Sequence, residues 1–314
     1  STRKESSAAS DVYKRQIYKN DYPLSIGYTY DKYIDNEEYE KLSAIEKQQV
    51  MLEAAVLDTK NVKSLAKEDT RSVSDKIKYG TVTVKSKDGV VVKTDRIRSK
   101  KEESTLTLSY EKKKGYEAYL MLDGVITKKP RIKAKISTDN MEKNIVLRNN
   151  DLTYALGRDS YLINLGYSDT SESEDVTFTI PIEAKINYSD VKVCYVPMDD
   201  YVSQIEERNE ESLQNVLTDK NNEVSGNVTL SSDKVMVFSI PYSSGWKAYV
   251  DGKETSVFRA NTMYMGINMT KGSHKVVLRY NSPGLHLGMM ASAAGIIIWI
   301  LLAVASKKKK QKGR

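Results

Sequence analysis

The sequence predicts a mainly β protein, an antiparallel β-sandwich plus a smaller β unit, with short N-terminal helices and one C-terminal transmembrane helix. Short runs rich in β-branched and aromatic residues, separated by polar turns, fill residues 77–196 and again residues 227–280. These two sets of runs predict the β units. The helix is predicted because Leu287–Ala305 runs 19 residues without a charge. An α-helix needs ~20 mainly apolar residues to cross ~30 Å of hydrocarbon.

The N-terminal part of the chain is predicted to be helical. Residues 1–16 show neither a helical nor a strand period, and we predict a non-native or disordered leader there. Residues 17–75 form the predicted helical region. Within it, Ser43 and Glu46 stand at the spacing of a capping box and begin a helix predicted over Lys47–Leu57.

The predicted β-sandwich domain covers residues 76–198. Its first hairpin is expected to turn at Asp88-Gly89, a dipeptide that tight turns prefer. The polar turns that separate the later runs place further strands at Thr105–Tyr110, Tyr116–Leu122, Arg131–Ser137, Asn144–Leu147, Tyr161–Tyr167, Val176–Ile182 and Val191–Val196.

A helix and linker are predicted over residues 199–223, with the helix itself at Asp199–Leu217. The small β domain follows over residues 224–284. Its clearest turn signal is Asp251-Gly252, which predicts a second tight hairpin.

The predicted transmembrane helix, residues 285–305, also sets an orientation. The basic tail that follows it, residues 306–314, contains four consecutive lysines, Lys307, Lys308, Lys309 and Lys310. Such a cluster beside a membrane helix marks the cytoplasmic side, so these lysines are the predicted cytoplasmic anchor. Residues 17–284 are then extracytoplasmic. A buried core helix of a soluble protein is the alternative, and the lysine cluster disfavours it.

Four small residues are spaced to share one face of this helix: Gly288, Ala291, Ser292 and Gly295. Small residues let membrane helices approach closely, so this face is predicted to pack on another helix, although small residues are also common in such helices by chance. The chain has no initial methionine and no signal peptide, while its outer part must be translocated. We therefore expect the C-terminal part of a longer membrane protein, with membrane lipid and upstream transmembrane helices as partners.

Charge and cysteine content exclude several function classes. The net charge is +7, but residues 307–314 contribute six positive charges and residues 1–16 two, which leaves −1 for the part between. The basic footprint of a nucleic-acid-binding protein is therefore absent, and nucleic acid is not an expected partner. Cys194 is the sole cysteine, so no intrachain disulfide forms, and a small buried apolar role is expected for it. No spacing of metal ligands, cofactor loop or catalytic motif stands out, so no metal, cofactor or catalytic residue is predicted.

Tyrosine is abundant, with 21 residues against three phenylalanines. Aromatic residues with a polar edge suit sugar rings as well as half-exposed sheets. The aromatic residues of the second β unit that are predicted to contact carbohydrate are Tyr242, Trp246, Tyr249 and Tyr264. Ordinary core and sheet packing is the simpler interpretation of the same residues.

Several separated segments resemble one known family. They are IGYTYD (26–31), LSAIEKQ (42–48), AAVL (54–57) and IPYSSGWKAYVDGK (240–253), and the Pro283-Gly284 entry into the last helix agrees with them. In this order the segments are similar to those of the bacterial YfhO membrane proteins. The resemblance covers residue 17 to the C-terminus.

The YfhO family resembles multi-spanning glycosyltransferases of the GT-C type, which use a polyprenyl-phosphate-linked sugar at the outer face of the membrane. The resemblance therefore implies sugar transfer to a cell-envelope polymer such as a teichoic acid, with the catalytic acid in an early external loop that this chain lacks. The chain would then position the acceptor or stabilise the helix bundle, with a cell-wall glycopolymer as partner. A non-enzymatic, membrane-anchored carbohydrate-binding or structural module and the outer domain of a transporter stay open as alternatives.

Overall fold

The computed structural model describes residues 20, 22–62, 64–149, 157, 159–218 and 222–312, without the side chains of His286 and of residues 304–312. The predicted leader, residues 1–16, lies outside these residues. The described fold is mainly β, as the strand patterns predict. The helices are α1 (Asn36–Glu40), α2 (Ala44–Glu53), α3 (Thr70–Ser74), α4 (Tyr201–Glu210) and α5 (Leu285–Lys312), with a 3₁₀ turn at Thr59–Asn61.

The strands before residue 140 are β1 (Gly27–Tyr30), β2 (Lys32–Asp35), β3 (Ala55–Leu57), β4 (Ala66–Lys67), β5 (Lys78–Thr81), β6 (Thr83–Asp88), β7 (Val90–Lys93), β8 (Arg96–Ser99), β9 (Ser104–Glu111), β10 (Tyr116–Asp123), β11 (Ile126–Thr127) and β12 (Arg131–Ser137). The later strands are β13 (Glu142–Arg148), β14 (Tyr161–Ser168), β15 (Ser173–Ile180), β16 (Lys185–Asn187), β17 (Asp190–Pro197), β18 (Gln214–Leu217), β19 (Glu223–Leu230), β20 (Lys234–Pro241), β21 (Trp246–Val250), β22 (Lys253–Thr255), β23 (Phe258–Ala260), β24 (Tyr264–Met269) and β25 (Gly272–Tyr280).

The first β unit is a sandwich of two antiparallel sheets. Sheet I has the order β14-β10-β17-β5, and sheet II the order β13-β12-β15-β9-β6. Their alternating apolar residues meet in one core, whose fully buried members include Leu120, Ile132 and Ile136. The strands predicted between Thr105 and Val196 are therefore confirmed. One face of each strand lies in this core, and β10 and β17 are buried on their other face as well.

Sheet III, in the order β11-β16-β8-β7, closes the same unit. Its inner face adds Ile97 and Ile186 to the sandwich core, and its outer face carries the charged residues of the same strands. The hairpin predicted at Asp88-Gly89 is wrong. Strand β6 pairs with β9 in sheet II, and β7 pairs with β8 in sheet III, so the turn passes the chain between two sheets.

The second β unit combines the two ends of the chain. Sheet IV has the order β1-β20-β24-β23-β3-β2-β4, and sheet V has the order β18-β19-β25-β21-β22. Phe238 and Ile267 of sheet IV meet Val276 and Leu278 of sheet V in a shared core. Four of the seven strands of sheet IV come from the region predicted to be helical, residues 17–75. The sheets thus cross the predicted boundaries at 75 and 224.

The N-terminal helices lie where the two units approach each other. The predicted capping box is confirmed: Ser43 Oγ accepts from the backbone N–H of Glu46, and the Glu46 carboxylate accepts from the backbone N–H of Ser43. Ile45 of α2 packs with the outer face of sheet I, whereas Val50 packs against sheet IV. Strands β2 and β3 pair in parallel, which requires a crossover, and α1 and α2 supply it.

The helix predicted over Asp199–Leu217 is shorter than expected. It ends at Glu210, and Gln214–Leu217 instead pairs with β19 as an edge strand. Leu213 is buried in the core of the second unit. Leu213, one of the apolar positions that suggested a longer helix, is therefore buried by a tertiary partner that helical periodicity does not reveal, whereas Val216 and Leu217 are exposed in β18.

The predicted hairpin at Asp251-Gly252 is confirmed. Asp251 and Gly252 both have positive φ, 51° and 81°, and connect the antiparallel pair β21 and β22. This is the backbone twist that two-residue hairpins favour.

Helix α5 begins at Leu285, the start predicted for the last helix. Within the described part of the chain, no helix combines the length and the apolar character that a membrane crossing requires. The predicted transmembrane helix is therefore not confirmed and stays a prediction.

Candidate functional site

Two of the four residues predicted to contact carbohydrate pack against the hydrophobic cores. Trp246 opens β21 and packs half-buried against the core between sheets IV and V, with its ring centroid 5.1 Å from that of Tyr280. Tyr264 lies in β24 and packs on the opposite side of sheet IV with Tyr28 and Val237. Both residues therefore pack as the simpler interpretation expects, and their contact with carbohydrate stays a prediction.

Tyr249 and Tyr242 face outward, but on different sheets. Tyr249 lies on the outer face of sheet V, where the guanidinium carbon of Arg279 stands 5.3 Å from its ring centroid. Tyr242 directly follows the C-terminal end of β20 in sheet IV and is 36 % exposed. The four aromatic residues therefore do not form one surface, and Tyr242 is the member that lines a cleft.

The cleft beside Tyr242 has a volume of about 520 Å³ and is the candidate functional site. Three segments remote in sequence build it: helix α1 with β3 and the 3₁₀ turn, strand β23 with the following turn, and the end of β20. Its polar side chains include two carboxylates, two cations, two amides and a threonine, namely Glu40, Asp58, Lys60, Arg259, Asn36, Asn61 and Thr262. A ligand would thus meet donors and acceptors around one aromatic face.

An unusual turn shapes one wall of the cleft. Asn261 and Thr262 both have positive φ, 46° and 67°, a conformation that is uncommon outside glycine. Asn261 is buried, and its Oδ1 accepts from the backbone N–H of Val56 at 2.9 Å, while its Nδ2 donates to the Tyr30 hydroxyl at 3.2 Å. Burial raises the pKa of Tyr30, which keeps that hydroxyl protonated. The strained turn is therefore held by N-terminal strands.

Charges in the cleft are balanced and solvated. Lys60 Nζ lies 3.3 Å from Asp58 Oδ2, and Glu40 Oε2 lies 2.7 Å from Lys47 Nζ outside the cleft. The guanidinium carbon of Arg259 stands 5.6 Å from the ring centroid of Tyr242 and orients both side chains. No group of three or more His, Cys, Asp or Glu side chains among the described residues is arranged to hold a metal ion. The arrangement suits recognition of a neutral polar ligand by hydrogen bonds and one aromatic contact.

Sequence reasoning found Tyr242 but missed the rest of this cleft. Asn261 and Thr262 form a short polar break directly after the strand that contains Arg259, and asparagine is enriched at positive φ, so the turn had a local signal. The contribution of Asn36 and Lys60 had no local signal, because their segment lies about 200 residues away in the chain from Arg259 and Thr262.

Comparison with known proteins places the chain in a family. The family model described as "Bacterial membrane protein YfhO" matches residues 5–292. The chain belongs to this family. The protein YfhO of Bacillus subtilis (strain 168), described as uncharacterized, is 29 % identical over 84 residues, which are 27 % of this chain and 9 % of that relative.

Solved structures resemble the YfhO-family chain only weakly. A family two carbohydrate esterase from Clostridium thermocellum, in complex with cellohexaose, is 7 % identical, with a TM-score of 0.24 over 35 % of this chain and 30 % of that one. The arabinofuranosyltransferase AftD from Mycobacteria is 15 % identical, with a TM-score of 0.21 over 50 % of this chain and 12 % of that one. At such TM-scores neither likeness carries an inference about function.

The other predicted site of this YfhO-family chain lies in α5. The small residues Gly288, Ala291, Ser292 and Gly295 are all exposed, and apart from the adjoining residues and backbone of the helix itself no described atom lies within 4 Å of a Cβ built on either glycine. Their packing on another helix stays a prediction. The side chains of Lys307, Lys308, Lys309 and Lys310 lie outside the described residues.

Proposed function

We propose that this chain is the outer part of a multi-spanning bacterial glycosyltransferase that uses a polyprenyl-phosphate-linked sugar and modifies a cell-envelope polymer. In this proposal the chain positions the acceptor polymer, and the chemistry belongs to upstream helices. Family membership supports a bacterial membrane protein. The resemblance of that family to GT-C enzymes supports the reaction.

The observation that carries the acceptor role is the cleft beside Tyr242. A sugar presents hydroxyl groups at its edge and an apolar face, and the cleft offers amides and charged groups around an exposed tyrosine ring. Its volume of about 520 Å³ lies in the range of small-ligand sites. An acceptor sugar at the end of a polymer would enter from solvent with its face on Tyr242.

The proposed topology follows from α5. Its apolar side chains are exposed along the described helix, with Leu287, Trp299 and Leu302 each more than 60 % exposed. We assign membrane lipid and upstream helices of the same protein as the groups that cover them, since exposed apolar surface of this extent marks an interaction site. Residues 17–284 then lie outside the cytoplasm, and the lysines from Lys307 to Lys310 lie inside it.

Acceptor binding is testable with the isolated chain in a neutral detergent. Tyr242→Ala is expected to weaken binding of envelope glycopolymer fragments about fivefold, because an aromatic contact contributes about 1 kcal/mol. Tyr242→Phe should keep most of the affinity. Tyr167→Ala is the matched control, since Tyr167 is 60 % exposed in sheet I, remote from the cleft in sequence. Equal loss in both alanine variants would refute a specific sugar site.

A test of the glycosyltransferase activity needs the complete parent protein. Cells that carry the parent with Tyr242→Ala should show less sugar on the envelope polymer, at an unchanged amount of the protein in the membrane. Polymer glycosylation that is the same with and without the parent gene would overturn the glycosyltransferase proposal. If the chain still binds the glycopolymer in that case, the carbohydrate-binding module is favoured, and if it does not bind the glycopolymer, the transporter domain is favoured.

A further inference from the structure

Five cations gather on the outer face of sheet III, in the first β unit. They surround a recess of about 240 Å³ that they share with Val91, and they are Lys93, Arg96, Arg98, Lys100 and Lys185. We call these five residues the basic recess. It belongs to the first β unit, whereas the cleft beside Tyr242 and α5 belong to the second.

Strand register brings the cations together. Arg96 and Arg98 alternate with Ile97 along β8, so both guanidinium groups point away from the core that Ile97 joins. Lys93 of β7 stands directly opposite Arg96, and Lys185 of β16 stands directly opposite Arg98. Like charges directly opposite each other destabilise a sheet, so two such pairs side by side oppose folding unless an anion lies between them.

The chain does not neutralise this face itself. Lysines nearby in sequence do have acidic partners, since Lys101 pairs with Asp88 and Lys85 pairs with Asp175. Among the described residues, none of the five cations of the basic recess forms an ion pair or a side-chain hydrogen bond. The acidic residue nearest in sequence, Asp95, occupies the turn between β7 and β8 and forms no ion pair within the described residues either.

A buried hydrogen-bond acceptor, the side-chain oxygen of Asn187, lies beside the basic recess. Asn187 is opposite Arg96 in the register of β16 and β8, on the face that carries Lys185. Its Oδ1 is buried and has no hydrogen-bond partner among the described residues. A hydroxyl donor would satisfy it, so the face combines cations for an anion with an acceptor for an alcohol.

We propose that the basic recess binds a phosphodiester-linked polyol polymer. Arginine guanidinium groups match phosphate oxygens in a two-point geometry, and five positive charges exceed what a single carboxylate would neutralise. A polyol hydroxyl next to the phosphate would donate to Asn187 Oδ1. Five of the six residues that line the recess are cations and only Val91 is apolar, which favours a charged polymer segment over insertion into a lipid surface. This site does not depend on sugar binding at Tyr242.

Binding is measured by isothermal titration with the full chain in a neutral detergent and a synthetic glycerol phosphate oligomer as the probe. The double variant Arg96→Gln/Arg98→Gln is expected to lose affinity about tenfold, as removal of charge-assisted hydrogen bonds to phosphate predicts. The dependence of log affinity on log salt should become shallower by about 1.4, roughly 0.7 for each charge removed.

Lys87→Gln/Lys133→Gln is the matched control. Both lysines are exposed in sheet II, form no ion pair in the described chain, and remove the same net charge. This variant should keep the affinity of the original chain within about twofold, since only distant, screened charges change. Equal losses in the two double variants would reduce the effect to net charge and overturn the proposal.

Two further measurements decide the class of ligand. Vesicles that contain phosphatidylglycerol, at the same phosphate concentration, should bind the recess variant as well as the original chain. If the variant loses vesicle binding and not oligomer binding, the basic recess is a lipid site and the polymer proposal is wrong. Thermal unfolding should show that the recess variant is at least as stable as the original, because like-charge pairs are removed, so lost binding cannot come from misfolding.

Discussion

The turn at Asn261 offers the sharpest test of how the two ends of the chain build the cleft. Replacement of Asn261 by alanine removes the acceptor for Val56 N–H at 2.9 Å and the donor to the Tyr30 hydroxyl at 3.2 Å. It also places a Cβ-bearing residue without a polar side chain at a φ of 46°. Both changes fall where β23, β3 and β1 meet, so the second β unit should be destabilised.

The expected magnitude follows from the geometry. Asn261 is only 4 % exposed, so water does not replace its side chain. A buried N–H that loses its acceptor costs about 1–3 kcal/mol. Left-handed backbone costs alanine about 1 kcal/mol more than asparagine. We therefore expect Asn261→Ala to lower the free energy of unfolding of the second β unit by about 2–4 kcal/mol.

Two companion variants separate the causes. Asn261→Gly loses the same hydrogen bonds but tolerates the positive φ, so it should lie about 1 kcal/mol above the alanine variant in stability. Asn261→Asp keeps the acceptor for Val56 and loses the donor to Tyr30. Trp246 lies in the same unit and reports urea unfolding by fluorescence, in a Trp299→Phe background that removes the second tryptophan. An alanine variant within about 0.5 kcal/mol of the original would refute the reasoning.

Three other outcomes are expected. The Asp251 carboxylate, 2.7 Å from His274 Nδ1, raises the pKa of that histidine, so its contribution to stability is complete below about pH 6.5 and is lost as pH rises through the folded value. His274→Gln should flatten this part of the stability profile in urea titrations at several pH values. Burial raises the pKa of the Cys194 thiol to about 12, so a thiol reagent should react with the native chain far more slowly than with the urea-unfolded chain. Ser43→Ala should cost about 1 kcal/mol of unfolding free energy, since it breaks the capping box with Glu46, and an unchanged urea midpoint would contradict this.

Local patterns predicted most of the first β unit. The strand at Arg131–Ser137 was predicted at its observed ends, because one face is buried and the alternation is strict. The strand at Tyr116–Asp123 was predicted one residue short of its observed end, from an apolar run that is buried on both faces. The capping box at Ser43 was also predicted, because both of its hydrogen bonds join residues within one four-residue segment. Strand pairing was harder, as Asp88-Gly89 shows: a turn dipeptide bends the chain but does not choose the partner of either strand.

Of the residues that line the candidate site, the sequence predicted one, Tyr242. The other aromatic residues were predicted from the same abundance of tyrosine and tryptophan. Trp246 and Tyr264 pack against hydrophobic cores, and this burial distinguishes them from Tyr242, whose ring is exposed. The remaining lining depends on contacts across about 200 residues, such as the pairing of Leu57 with Ala260. A pattern within one segment contains no information about such a partner.

The sequence by itself determined the β class, the sandwich strands, the start of the last helix and the family, because each depends on the order of residues within short segments. Only the tertiary structure decided that the N-terminal strands complete the sheet of the C-terminal unit, and that Lys93 and Lys185 flank the arginines of β8. Sheet pairing is chosen by burial and backbone hydrogen bonds between distant segments. Both proposed sites exist because of that choice, since each includes a strand that is distant in the chain from the rest of the site, β23 in the cleft and β16 in the basic recess.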